Sequence, residues 1–547
     1  MDSKTPENPR RSASQPLVYA ALLAVGLFLG FLLDGGGGGP LGRSRGALQE
    51  VLDRIESMYV DDVERARLEQ VAVEAILAEL DPHSYYFSAE ELAELAEPME
   101  GGFEGIGIEF VIQDDTLMVV AAIPGGPAAR AGMHAGDRII KVDSVEISGP
   151  ELTNARVAEL LKGPSGTHVR VGVSRKGRVL QYDLVRDRIP IHSVVAALEL
   201  EPGIGYIKVV RFAANTAEEF EAGMGKLAAA GVRSVVVDLR GNGGGYLNAV
   251  VPMVAGFLEK GDKVVYTEGR HVPRTDYEAE EPGKWRDWNV AVLIDEGSAS
   301  ASEIFAGAIQ DNDRGAVIGR RSFGKGLVQE EFGLSDAGAL RLTVARFYTP
   351  TGRAIQRPYS NGTDAYSEEP GERMENGELF HGATEDGPDS LRYETPEGRV
   401  VYGGGGIAPD FFVPLDTAGL TDRVAEWMWL GEVRDASFAF VDARRKALEP
   451  IRTVAALDAA VRDAAIEDFL RNRSGEQRVV LDAAERRVLG DQLVAQIARN
   501  LLGEEALHEA ELRGDATLAR ALEVLRYPAG LAVRAGRLTF TPQKKTP

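Results

Sequence analysis

The chain has no cysteine in its 547 residues. Disulfides, thiolate nucleophiles and cysteine-rich zinc sites are therefore excluded. Compartment is not fixed by this, since a disulfide-free protein can live in an oxidising space. Histidine is scarce. The seven are His83, His134, His168, His192, His271, His381 and His508, with no H-E-x-x-H and no close pair, so spacing gives a metal site no support. Positive charge is also short: 61 Lys and Arg stand against 84 Asp and Glu, a net charge of −23 with a pI near 4.9. A nucleic-acid partner would want a basic face, so that class is disfavoured.

Long apolar runs are absent except for one. Residues 17–33 read LVYAALLAVGLFLGFLL, between a polar segment carrying Arg10 and Arg11 and the tract Asp34 to Gly39. Seventeen residues is the short limit for a membrane span and slightly long for a signal core. No A-x-A-like cleavage site comes after it, so a retained anchor is favoured over a cleaved signal. The preceding basic residues put residues 1–16 on the cytoplasmic side. The expectation is a single pass through a bacterial inner membrane, with the remainder facing the periplasm or exterior. A buried core helix fits poorly, because polar and glycine-rich flanks isolate the segment.

The length leaves room for three or four domains. Their organising stretch is residues 295–329. The apolar run 290–294 reads as a buried strand. The small residues Gly297, Ser298, Ala299, Ser300, Ala301 and Ser302 then turn a corner, and Ile304, Phe305, Ala308 and Ile309 repeat at helical spacing. Three serines thus sit at a strand-to-helix junction, where a hydroxyl is exposed and free helix N–H groups can bind developing negative charge. The plain alternative is that Ser300 to Glu303 is an S-x-x-E capping box and the serine only caps a helix. The residues downstream favour chemistry. Lys325 is flanked by Gly324 and Gly326, with Phe323, Leu327 and Val328 close by. Burial there would disfavour the ammonium and leave a neutral amine as base. A serine with such a lysine is a variant of the serine triad. No histidine falls in this stretch, although a distant one could converge on it. Residues 319–325 also match G-x-x-x-x-G-K, but Gly326 replaces the required Ser or Thr and an extended segment comes next, so a phosphate loop is rejected.

These paired motifs, residues 297–303 and 322–329, resemble the carboxyl-terminal processing proteases, serine peptidases with a Ser–Lys dyad. The resemblance implies Ser300 as nucleophile, Lys325 as general base and Gln329 as the residue that orients the lysine, at the family's spacings of 25 and four residues. It implies no cofactor and no metal. The run Asp238-Leu239-Arg240-Gly241-Asn242-Gly243-Gly244-Gly245 matches the family's D-L-R-x-N-x-G-G, so backbone N–H groups of Gly244 and Ala301 are expected to form the oxyanion hole. Residues 401–410 carry a further family signature.

In chain order, residues 43–98 carry helical periodicity broken at Asp81-Pro82-His83-Ser84-Tyr85, with His83 read as structural. Residues 101–188 change to short strands and turns, in a series that resembles a PDZ domain. Its loop Gly105-Ile106-Gly107-Ile108 is expected to turn N–H groups toward a peptide carboxylate, ahead of a strand open to β-augmentation. Residues 189–416 alternate strand and helix, the sign of a βα core; 204–210 reads as extended, 217–230 and 247–258 as helical. Within it, residues 360–398 are polar and acidic and read as a surface insertion. Residues 417–547 are a helical extension, with packing or self-association, including a homodimer, favoured over chemistry.

The reading is a mixed α/β protein: a crotonase-like protease core, an inserted PDZ domain and helical segments at both ends. The expected function is a membrane-anchored serine endopeptidase that binds protein C-termini. The rivals are a catalytically silent PDZ scaffold and, by fold analogy, acyl-thioester chemistry.

Overall fold

The computed structural model describes residues 46–542 apart from Asp114, Pro124, Pro150, Lys176, Asp336, 383–387 and 474–478. The apolar run 17–33 lies outside the described residues, among which no helix is long and apolar enough to cross a membrane. The chain divides into two compact units, Met1–Ala75 and Ile76–Pro547. In the first, the helix Ala47–Met58 is followed by the start of the helix Arg65–Ala78, whose Arg65 pairs with Asp53 at 2.9 Å and Glu56 at 2.7 Å.

The second unit is built on a six-stranded sheet. Its strands lie in the order Val194–Glu201, Ile204–Val209, Ser234–Asp238, Asn289–Ile294, Ala316–Gly319 and Phe411–Phe412; the first pair is antiparallel and the rest parallel. Parallel sheets are buried on both faces, which is why their strands read as continuous apolar runs. The pleat sends Val235, Val237, Val290, Val292 and Ile294 to one core. That face is covered by the helices Thr216–Ala229, Leu247–Ala255 and Ala301–Asp311, where Phe220, Phe257 and Phe305 meet edge to face with centroids 6.1–6.3 Å apart. Val236, Ala291, Leu293 and Ile318 point the other way.

The C-terminal extension covers that second face. Its helices Glu432–Leu448, Val454–Arg473 and Ala483–Leu502 pack around their own core. The helix Ala516–Arg526 then returns to the sheet and lays Leu518, Ala521, Val524 and Leu525 on it. Packing is therefore its role in this structure. Its N-cap Asp515 also pairs with Arg240 at 2.7 Å, at the end of a central strand.

A second, antiparallel sheet carries Leu327–Gly333, Ala339–Tyr348, Lys263–Glu268, Thr275–Glu278 and the short strand Tyr85–Phe87. That last strand begins at Tyr85, the final residue of the expected helix break. The segment 360–398, expected as a surface insertion, contains the helices Thr363–Glu375 and Glu378–His381 and buries Tyr366, Arg373 and Leu379. The strands Ile108–Gln113, Thr116–Ala122, Arg138–Val142, Val145–Glu146, His168–Arg175 and Arg178–Val185 form a separate sheet around Ile106, Val119, Ile139, Val171 and Leu184, with the helix Asn154–Leu161 contributing Val157 and Leu161.

Candidate active site

Three loops leave the carboxyl ends of neighbouring parallel strands: the one after Asp238, the one after Ile294 and the one after Gly319. In open α/β sheets this end is where ligands bind. The loops are fastened to one another by the serines that sequence offered as candidates. Ser298 is fully buried and its Oγ donates to the Leu239 carbonyl at 2.9 Å. Ser302 is likewise buried, donating to the Asn242 carbonyl at 2.8 Å. The Phe323 N–H closes the third side on the Ser298 carbonyl at 3.0 Å.

Ser300 is different. It is half-buried and stands at the N-cap of Ala301–Asp311, as the capping alternative required. Its backbone is at φ 55° and ψ −112°, whereas an ordinary N-cap is extended. A serine with positive φ is strained, and such residues are stored at functional sites. The loop below it is pressed close: a Cβ on Gly244, itself at φ 100°, would lie 2.7 Å from Ser300 Cβ and 3.0 Å from the Ala301 nitrogen.

Glu303 joins the serine to the lysine loop. Its fully buried carboxylate accepts the Ser300 N–H at 2.8 Å, the Ser322 hydroxyl at 2.6 Å, the Gly324 N–H at 2.7 Å and the Lys325 N–H at 2.8 Å. Burial pushes its pKa up to about 7, against the pull of those four donors. Sequence had read Glu303 only as a helix cap.

Lys325 is half-buried at the head of Leu327–Gly333. Desolvation holds its proton affinity below the usual lysine range, assisted by Arg341, while Glu303 and Asp81 act in the opposite direction. His83 comes within electrostatic reach. Burial, with the Lys325 charge, pushes its pKa down to about 4, and its Nε2 lies 2.9 Å from the Tyr366 hydroxyl. The helices at 363–381 brace the lysine loop from outside. Arg373 donates to the Ser322 and Arg321 carbonyls at 3.0 and 2.7 Å, and Arg357 lies between the Phe323 and Tyr366 rings, 4.0 and 3.8 Å from their centroids.

Two of the expected site residues have other partners in this structure. The Gly244 N–H donates to Asn242 Oδ1 at 2.9 Å, so it is not directed at an oxyanion. The asparagine side chain closes a local turn on the residue two positions on, which the family pattern alone does not disclose. Ala301 N–H has no acceptor among the described residues. Gln329 comes just after a bulge in its strand pairing and donates its Nε2 to Thr343 Oγ1 at 3.4 Å; it makes no hydrogen bond to Lys325.

At the other candidate site, Gly105 ends a strand, Ile106 plugs into the small domain's core, and Gly107 turns the chain at φ 75°. Ile108 begins the strand Ile108–Gln113, which pairs with Thr116–Ala122 and has no strand on its other edge among the described residues.

Comparison with known proteins agrees with this architecture. Residues 203–363 match peptidase family S41 and residues 118–175 match a PDZ domain. The carboxy-terminal-processing protease of Bartonella bacilliformis is 38% identical over 317 residues, covering 56% of this chain and 71% of that protein. The carboxy-terminal processing protease CtpB of Bacillus subtilis is 31% identical over 315 residues, covering 57% and 65%. Among solved structures, the photosystem II D1 C-terminal processing protease is 32% identical, covering 56% of this chain and 82% of that one, with a TM-score of 0.32. The chain belongs to the carboxy-terminal processing proteases of peptidase family S41, which are serine proteases.

Glu303 makes the site sensitive to pH in two opposed ways. Its folded pKa of about 7 exceeds the ordinary 4.5, so the folded state alone holds a proton between those values. Stability therefore falls as pH rises through this window. Activity should rise over the same window, since four donors need the ionised carboxylate. Glu303→Gln places an amide N–H₂ against N–H donors. It should cost about 2–4 kcal/mol of stability, flatten that stability slope and lower kcat/KM at least about 100-fold. Urea unfolding and peptidase assays from pH 5 to 8 check this. A variant with wild-type activity and an unchanged slope would remove Glu303 from the account.

Proposed function

We propose that this protein is a membrane-anchored endopeptidase that takes the free C-terminus of a protein on its PDZ domain and cleaves the tethered chain with Ser300 and Lys325. The observation that carries the reading is the division among the three serines. Ser298 and Ser302 use their hydroxyls to fasten loops, while Ser300 stands half-buried at a helix N-terminus, linked through Glu303 to the peptide unit of Lys325. His83, with its pKa near 4 and its Nε2 held by Tyr366, is a poor alternative base.

In the proposed reaction, neutral Lys325 takes the Ser300 Oγ proton as Oγ bonds to the scissile carbonyl carbon. The oxygen becomes an oxyanion beside the Ala301 N–H and the positive end of the Ala301–Asp311 helix. Collapse breaks the C–N bond, and Lys325 gives its proton to the departing amine. Lys325 Nζ then takes a proton from water as the water oxygen bonds to the ester carbon; the C–Oγ bond breaks, Lys325 returns that proton to Ser300 Oγ, and the acid leaves. The edge strand Ile108–Gln113 would receive the substrate's C-terminal residues as an added strand, with the loop Gly105–Ile108 at its carboxylate. A silent scaffold would need neither a strained serine nor a desolvated lysine.

Casein and a defined peptide test both halves. Ser300→Ala should abolish cleavage with the fold intact, while Ser298→Ala and Ser302→Ala, each losing a buried bond of about 1–2 kcal/mol, keep measurable rates. Amidating the peptide's C-terminus should raise KM. An active Ser300→Ala enzyme would overturn the nucleophile, and equal KM for acid and amide would overturn recognition of chain ends.

The anchor rests on the sequence of residues 17–33 alone. Full-length protein should stay with bacterial inner membranes after carbonate washing, and deletion of residues 1–40 should release it. Full-length protein found in the wash would contradict anchoring.

A further inference from the structure

The hydrogen bonds around Gln329 form a chain with a fixed direction. Gln329 Nε2 donates to Thr343 Oγ1, and Thr343 Oγ1 donates to Asp81 Oδ1 at 3.0 Å. Asp81 also accepts the His83 N–H at 2.8 Å and the Ser84 hydroxyl at 2.7 Å. Ser84 Oγ in turn accepts the Thr343 N–H at 3.1 Å. An ionised carboxylate accepts only, and a hydroxyl has a single proton to give. Thr343 gives its proton to Asp81, so toward Gln329 its oxygen must accept. The carboxamide is thereby held with nitrogen toward Thr343 and Oε1 at the opposite end.

That polarity matters for a base made of a neutral amine. The amine has one lone pair and two N–H bonds, and it works only when the lone pair faces the serine hydroxyl. An acceptor for one N–H restricts its rotation. We propose that Asp81 and Thr343 are positioning residues that fix the Gln329 carboxamide with Oε1 free to accept from the Lys325 amine. This rests on the reading of Ser300 and Lys325 as nucleophile and base. The three residues come from separate segments. Asp81 precedes the strand Tyr85–Phe87, Thr343 lies in Ala339–Tyr348 and Gln329 in Leu327–Gly333. The pairing of both outer strands with Ala339–Tyr348 brings them together.

The charged and titratable groups around Lys325 give a readout that loss of packing would not. Glu303 faces it from the serine helix, Arg341 from Ala339–Tyr348, and Asp81 and His83 from the segment before Tyr85–Phe87. Of these, Asp81 and Glu303 raise the lysine's proton affinity and Arg341 lowers it. Removing the Asp81 charge therefore lets Lys325 lose its proton at lower pH. Asn at 81 could also donate to Thr343, which would reverse the chain.

The experiment measures kcat and KM against pH for wild type, Thr343→Val, Thr343→Ser, Asp81→Asn and Lys325→Ala. Thr343→Val, of nearly equal volume, should lower kcat about 10- to 100-fold, with KM and the acid limb in place. Thr343→Ser, which keeps the hydroxyl, should restore kcat to within about 3-fold of wild type. Asp81→Asn should lower kcat and move the acid limb to lower pH. Wild-type kcat in Thr343→Val, Thr343→Ser no better than Thr343→Val, or an unmoved limb in Asp81→Asn would each overturn the proposal. Lys325→Ala separates the two levels. If it is active, the Ser–Lys reading itself fails. If it is inactive while Thr343→Val is normal, only the positioning chain fails.

Discussion

A carboxylate buried among hydrogen-bond donors holds this site together. Removing Glu303 from water costs several kcal/mol, and the protein offsets that with three peptide N–H groups and one hydroxyl. Two of those N–H groups belong to Ser300 and Lys325. Their relative position is therefore set by the backbone, before either side chain makes a contact. Glu303 is also the third residue of its helix, where the dipole favours negative charge. Burial desolvates both Glu303 and Lys325.

Segments distant in sequence brace the loops around the site. The helix Thr363–Glu375 places Arg373 on the carbonyls of Arg321 and Ser322, and Arg321 pairs with Glu378 at 2.7 Å. On the far side of the central sheet, Ala516–Arg526 covers the second apolar face. Asp515 reaches Arg240, which also grips the buried Asp238. The extension is thus joined to the loop that carries Gly244. It reaches the PDZ domain as well, through Arg499 and Glu109 at 3.1 Å.

What sequence disclosed and what it concealed divide by distance along the chain. The strand 290–294 and the serine turn were legible because an apolar run followed by small residues is a local pattern. The S-x-x-E signature was also local, and half its meaning was correct: Ser300 does stand at the N-cap. The other half, three bonds to residues 19–22 positions away, has no local trace. Gly244 was expected to donate to an oxyanion, but Asn242, two residues before it, takes its N–H. That turn chemistry could have been read from the asparagine. The bulge just before Gln329 could not, since register is set by pairing with Ala339–Tyr348. Acidic composition suggested a surface insertion at 360–398; its Glu369 and Glu378 pair with Arg321 of the lysine loop and with the buried Arg357 and Arg373. Asp81 looked like a helix stop and is also the terminus of a hydrogen-bond chain.

The central claim is that Ser300 is activated by a lysine kept from its ordinary charge. The most direct measurement is the second-order rate at which an alkyl fluorophosphonate labels the protein as a function of pH, with the modified residue located by mass spectrometry. The account predicts label on Ser300 alone. The rate should rise along a limb that lies below the pKa of about 10.4 of a free lysine. Lys325→Arg, whose guanidinium stays protonated, should abolish labelling. Label on another serine, or a Lys325→Arg protein that reacts at the wild-type rate, would contradict it.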